Sequence, residues 1–301
     1  VGNSLTEHQQ LAKGTIAERW ITPSDYVFVY RDRAHFEQDK FGWALRKANG
    51  YSWEELEGDA FHAYDATFRS TAGFGVRCPD NGHIKDPGRY VKDLATHFTE
   101  QGGTLRIADV KGLERDGDKV AGLITDQGRI DCERVVIATG AWSKPLAKML
   151  GVDVPLETER GYHMEFYDPS IVPRAPSMVA AGKFVLTPMD GRLRLAGLVE
   201  FGGLDAPPSQ AAFDLLERSL LKAIPGITWG ETKKWMGHRP APADSIPVIG
   251  AVQGTKGAYL GFGHHHIGLT AGPKTGRLLA DMIAGRTANM DLAPYSPSRF
   301  S

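Results

Sequence analysis

Ala258-Tyr259-Leu260-Gly261-Phe262-Gly263, running through His264-His265-His266-Ile267 into Gly268-Leu269-Thr270-Ala271-Gly272-Pro273-Lys274-Thr275-Gly276, decides how this chain is read. An apolar β-prone run, a glycine-edged turn and an amphipathic segment follow one another, so the stretch predicts strand, turn and helix. Such a turn presents the first backbone N–H groups of a helix, with their partial positive charge, to an electron-rich ligand. Pro273 suits a first helical turn, where the N–H it lacks has no partner anyway. Gly268, Gly272 and Gly276 fall on one face and leave room for a second backbone or a flat ring. A plain connector could share this composition; the order strand, turn, helix is what favours a binding site.

At 301 residues and 42% hydrophobic content the chain can bury a substantial core. Its 35 basic and 36 acidic residues leave a net charge of -1, which argues against nucleic acid as a partner. Two cysteines, Cys78 and Cys132, are too few for a disulfide framework and fit a reducing compartment. No apolar run approaches the roughly 20 residues of a membrane helix, so a cytoplasmic protein is expected, with peripheral contact at the inner membrane still compatible. The chain starts at Val1 without a leader-like segment, and is expected to begin within a longer gene product.

Outward from the glycine turn, Val135-Val136-Ile137-Ala138 reads as a parallel strand covered on both faces, ending in the small-residue turn Thr139-Gly140-Ala141-Trp142. Upstream, Asp86-Pro87 predicts an N-cap and first helical residue, for a helix that stops at Gly102-Gly103. Strands are expected at 26–30, 104–110, 112–130 and 134–138, a surface helix at 33–49, and a turn at Asp80-Asn81-Gly82. Residues 1–24 carry no clear pattern. Residues 154–202 alternate as antiparallel strands, the last two joined at Asp190-Gly191. A helix at 209–224 with Phe213, Leu216, Leu220 and Leu221 inward precedes a strand at 232–236. The fold class is therefore α/β, with an α+β division into a nucleotide-binding-like region and an antiparallel region.

Taken together, Val135 to Ser143, Trp235-Met236-Gly237-His238-Arg239-Pro240 with Asp244 to Gly250, and Gly261 to Gly276 resemble the FAD-dependent amine oxidoreductases of the D-amino acid oxidase superfamily. The likeness covers most of the chain and is greatest to the bacterial D-amino acid dehydrogenase small-subunit type. It implies an FAD-binding region at 78–150 and 246–301 and a substrate region at 1–77 and 151–245. It also implies oxidative deamination of a D-amino acid or related imino acid by hydride transfer from Cα to flavin N5, with a quinone or membrane contact and an oligomer compatible. One departure is large: the family opens with a Gly-x-Gly-x-x-Gly turn that holds the FAD diphosphate, and no such hexapeptide occurs here. The alternative is a catalytically silent portion of such an enzyme that does not hold FAD.

The resemblance implies that Arg239 grips the substrate carboxylate, for which a planar guanidinium is suited; a surface ion pair is the alternative. It implies that His264 or His266 faces flavin and substrate, with a metal role disfavoured because three consecutive histidines diverge. Gly263, Gly268, Leu269 and Thr270 are implied flavin contacts, Ala138, Thr139 and Gly140 a second dinucleotide contact, and Val110 an adenine contact. Tyr162 and His163 alternate on one expected strand, so only one can face a pocket, and Tyr162 is the substrate candidate.

Overall fold

The structure, a computed structural model, describes residues 2–300. The helices are α1 (Ser4–Ala12), α2 (Arg33–Gln38), α3 (Lys40–Ala48), α4 (Asp59–Tyr64), α5 (Pro87–Glu100), α6 (Ser143–Met149), α7 (Gln210–Ala223) and α8 (Gly268–Ile283). The strands are β1 (Ile21–Tyr30), β2 (Glu54–Glu57), β3 (Phe74–Ile84), β4 (Val110–Asp116), β5 (Lys119–Thr125), β6 (Gly128–Asp131) and β7 (Val135–Ile137), then β8 (Leu156–Tyr167), β9 (Ser177–Val179), β10 (Phe184–Met189), β11 (Arg192–Phe201), β12 (Thr232–Pro242), β13 (Val248–Ala251) and β14 (Ala258–Phe262).

Strict alternation builds the large sheet. Along β8, Tyr162, Met164 and Phe166 are buried while His163 and Glu165 are not, and Leu193 and Leu195 do the same on β11. The buried set packs against Phe213, Leu216 and Leu220 of α7 in the main core. The sheet runs β12-β8-β11-β10-β9-β1-β3-β2, antiparallel apart from the β1–β9 pair. A smaller sheet, β13-β14-β7, pairs β14 parallel to β7 and carries α8, while β4-β5-β6 forms a meander. Asp86 caps α5 by accepting from the Arg89 N–H, with Pro87 in its first turn.

Several expectations change. Asp80-Asn81-Gly82 is not a turn: it lies within β3, where Asp80 takes a φ of 59° and the register against β1 shifts between Ser24 and Tyr26. The expected strand at 104–110 is irregular up to Val110, with Ile107 90% exposed and only the turn at Asp126 and Gln127 bonded to it. The helix at 33–49 breaks at Asp39, and Phe41 and Leu45 point outward while Phe36 and Trp43 are buried. On α7, Leu221 is exposed. On β7 only Ile137 is buried; Val136 lies open on an edge strand. Residues 78–84 sit in the large sheet rather than with the β14–α8 unit, and 4–12, unpatterned in sequence, form α1 against α8. No helix of the described residues is long and apolar enough to cross a membrane. Truncating the fully buried Leu216 to Ala should lower unfolding free energy by about 2–5 kcal/mol in a denaturant titration, through lost transfer energy and the cavity left under β8.

Candidate active site

The strand–turn–helix forms as the sequence predicts: β14 ends at Phe262, Gly263 reverses the chain with a φ of 87°, and α8 starts at Gly268. Gly272 and Gly276 have open space where a Cβ would point, and Gly268 meets only the His264 Cβ at 3.8 Å. This smooth helix face, with Gly261, Ala138 and Gly140, lines a cavity of about 530 Å³. Its wall is mainly apolar and broad enough for a flat ring system, which is what an isoalloxazine requires. The residues present fit that end of FAD, whereas a glycine hexapeptide for the diphosphate is absent from the sequence.

Pro273 lies well inside α8 rather than in its first turn. Lacking an N–H, it cannot bond the Leu269 carbonyl one turn earlier. His8 of α1 fills the gap: its Nε2 donates to that carbonyl at 3.0 Å, and its Nδ1 accepts from the Tyr90 hydroxyl at 2.8 Å. Burial holds the His8 imidazole below its ordinary value, so this neutral arrangement persists. Beside it, the buried Glu7 carboxylate receives Arg277 Nε at 3.1 Å, and that bond pulls its pKa down. Together these contacts fix the start of α8 against α1.

Arg239 of β12 does not reach into solvent. Its guanidinium lies over Gly161 of β8, where a Cβ would come within 2.4 Å of Cζ, and its Nη1 donates to the Leu198 carbonyl at 2.8 Å. Leu198 can offer that carbonyl because β11 bulges between Gly197 and Glu200 and Leu198 adopts a φ of 65°. Among the described residues no carboxylate pairs with Arg239; Glu159 acts on it only at longer range, and burial lowers its pKa. The surface ion pair is thus not what the fold builds. Pro240, the next residue, lines the glycine cavity, whereas Arg239 itself points to the other face of β12, over Gly161.

The three histidines diverge. His264 is buried and its Nε2 bonds the Thr275 hydroxyl at 2.9 Å, bracing the turn against α8. His265 Nδ1 lies 3.9 Å from Glu159. His266 is exposed on one side, and its imidazole is held below the ordinary value by partial loss of solvent and then by the Arg239 charge. Of the pair His264 and His266, it is His264 that lines the glycine cavity, together with His265; His266 does not, and only feels the Arg239 charge.

Gly263, Gly268, Ala138 and Gly140 line the one cavity. Thr139 stands beside them with Oγ1 3.0 Å from the Ser143 hydroxyl. Leu269 and Thr270 belong to the first turn of α8 but do not line that cavity; Thr270 borders a separate hollow behind the helix. Val110 opens β4 and packs against the core under the β13-β14-β7 sheet, and does not line the cavity. Tyr162 requires correction as a substrate contact: it is 1% exposed on the α7 side of the sheet, accepting from the Ser209 N–H at 3.0 Å and donating to Glu200. Alternation along β8 puts His163 on the Arg239 side instead, stacked on Trp235 with centroids 4.7 Å apart. Sequence reasoning missed His8 and Gly161, and of the alternating pair Tyr162 and His163 it chose the one that the structure places on the α7 side.

These features define a flavoprotein-type fold with a glycine-faced helix opposite an arginine-bearing antiparallel sheet. Residues 3–282 match the family described as FAD dependent oxidoreductase, and the chain belongs to that family. It is 36% identical over 297 residues to a D-amino-acid oxidase of Bradyrhizobium diazoefficiens, covering 97% of this chain and 70% of the relative. It is 35% identical over 244 residues to a glycine oxidase of Pseudomonas aeruginosa, covering 78% of this chain and 66% of the relative. The fold superposes on glycine oxidase from Geobacillus kaustophilus with a TM-score of 0.87 at 21% identity, over 99% of this chain and 81% of that one.

Two outcomes follow from the geometry. Replacing His8 with Ala strands the Leu269 carbonyl and the Tyr90 hydroxyl, and should lower stability by about 1–3 kcal/mol in denaturant titration, with part recovered in His8→Gln. His163 is held neutral, mainly by burial and then by the Arg194 charge, its pKa falling from 6.5 to about 4. Its folded pKa is depressed, so its contribution is present above pH 6.5 and is lost as pH falls toward 4, because the unfolded chain takes up the proton first. In His163→Phe, which keeps the stack on Trp235, unfolding free energy should fall less steeply across that window.

Proposed function

We propose that this chain forms the flavin-facing and substrate-facing part of an FAD-dependent amine oxidoreductase acting on a D-amino acid or a related imino acid. The observation that carries this reading is the Arg239 guanidinium, held over Gly161 without an ion-paired carboxylate among the described residues, on the strand whose next residue, Pro240, lines the glycine cavity. An α-carboxylate meeting that planar donor in a partly desolvated site gains a charge-assisted, bidentate contact that fixes the amine end toward the cavity. Bound FAD would supply the two-electron acceptor for a hydride from the substrate Cα, the amine losing one proton to solvent, and hydrolysis of the resulting imine would give the keto acid and ammonia or an amine. The chain's own residues bind and orient. Gly268, Gly272 and Gly276 leave the ring its space, and the backbone N–H groups at the α8 N-terminus favour negative charge on the reduced ring. His264 and His265 close the turn side of the cavity.

The second reading, that these 301 residues do not retain FAD on their own, is supported by the absent glycine hexapeptide. The two are separated by adding FAD to the purified protein, removing free cofactor and mixing with D-amino acids without oxygen. Loss of the flavin's visible absorption supports the enzyme reading, and a protein that stays colourless supports the other. In a flavin-loaded form, Arg239→Lys should lower kcat/KM by the equivalent of about 1–3 kcal/mol, mostly through KM, since lysine supplies a point charge without the fork. An unchanged specificity constant would remove Arg239 from the role.

A further inference from the structure

Resting on the activity proposed above, we infer that the sheet face beside Arg239 carries a second anion subsite, built by Arg194, and that the substrates preferred are amino acids with a second carboxylate on the side chain. Arg194 lies on β11 in register with Glu165 of β8 and Thr187 of β10. Its cross-strand acid is already taken: Glu165 Oε2 lies 2.9 Å from Arg192 Nε, and Arg192 is shared with Asp86 at 3.2 Å. Among the described residues Arg194 makes no hydrogen bond and no ion pair, although its Nε is buried. A desolvated guanidinium without a partner is costly unless a ligand supplies the negative charge.

Register puts Arg194 and Arg239 on the same face. Arg239 lies over Gly161, and Gly161, His163 and Glu165 alternate on that side of β8, with Ala196 opposite His163 and Arg194 opposite Glu165. From Gly161 to the Arg194 backbone is four residues along β8 and one strand across, about 14 Å at ordinary strand rise and spacing. The Arg194 side chain spans part of that distance, and the inferred ligand would bridge the remaining gap. What lines the gap is small or uncharged: Ala196, and the His163 imidazole held flat against Trp235. Cations at both ends and neutral ground between suit an α-carboxylate at Arg239, a short alkyl spacer and a distal carboxylate at Arg194.

The test compares ligands that differ only in the distal charge. In turnover, kcat/KM for D-glutamate should exceed that for the near-isosteric D-glutamine by about tenfold or more, the size of one charge-assisted contact. In calorimetric binding, glutarate, which has no amine to oxidise, should bind the flavin-loaded protein about tenfold more tightly than butyrate. Arg194→Gln should collapse both ratios and Arg194→Lys should restore part of them. The inference is overturned if the wild-type protein binds glutarate and butyrate alike, or if the ratios survive in Arg194→Gln. Because the glutarate comparison needs neither turnover nor a variant, it separates the two ideas. Glutarate preference without oxidation of any amino acid defeats the proposed activity alone, whereas oxidation of D-alanine without glutarate preference defeats the Arg194 subsite alone.

Discussion

The site depends on one cation, Arg239, that forms no ion pair among the described residues although Glu159 stands opposite it in the sheet. Arg239 could reach no such position on a regular sheet, because a side chain on β8 would stand where its guanidinium lies; Gly161 removes that side chain. A regular β11 would also aim the Leu198 carbonyl along the ladder, and the bulge between Gly197 and Glu200 turns it toward Arg239 instead. One glycine, one bulge and one arginine on three adjacent strands are thus a single device. It supplies enough hydrogen bonding to hold the guanidinium while leaving its charge uncancelled for a ligand.

Opposite the sheet, α8 solves a conflict between shape and hydrogen bonding. A smooth glycine face is open to a ring but weakens the helix, and Pro273 removes a further intrahelical bond. Contacts from α1 offset both losses, His8 at the Leu269 carbonyl and Glu7 at Arg277, with Tyr90 of α5 fixing the His8 ring. His264, held by Thr275, then sets the path of the turn so that His265 faces Glu159 and His266 comes near Arg239.

Local signals in the sequence were enough for the elements whose chemistry is local: the β14 to α8 order, the Asp86 cap of α5, the Asp190-Gly191 hairpin and the apolar face of α7. Signals that depend on a distant partner were not readable. α1 buries Glu7 and His8, polar residues whose partners lie on α8 and α5, so it shows no apolar stripe. Asp80-Asn81-Gly82 has the composition of a turn but sits in a bulge because β1 continues beside it. Tyr162 and His163 could not be assigned to faces until the position of α7 was known. Arg239 could be singled out from the Gly237-His238-Arg239-Pro240 motif, whereas the emptiness around Arg194 depends on where Glu165 turns, which only coordinates show.

The central claim is that the open glycine face of α8 exists to receive a flat cofactor, and one substitution tests it with two readouts of opposite sign. Nothing lies within 4 Å of a Cβ built on Gly272, and its backbone is ordinary helix, so without a ligand Gly272→Leu should stabilise the protein by about 0.5–1 kcal/mol. The same side chain enters the space proposed for the ring, so the dissociation constant for FAD, measured by flavin fluorescence titration, should rise about tenfold or more. A variant that is more stable and binds FAD as tightly as the parent would contradict the account.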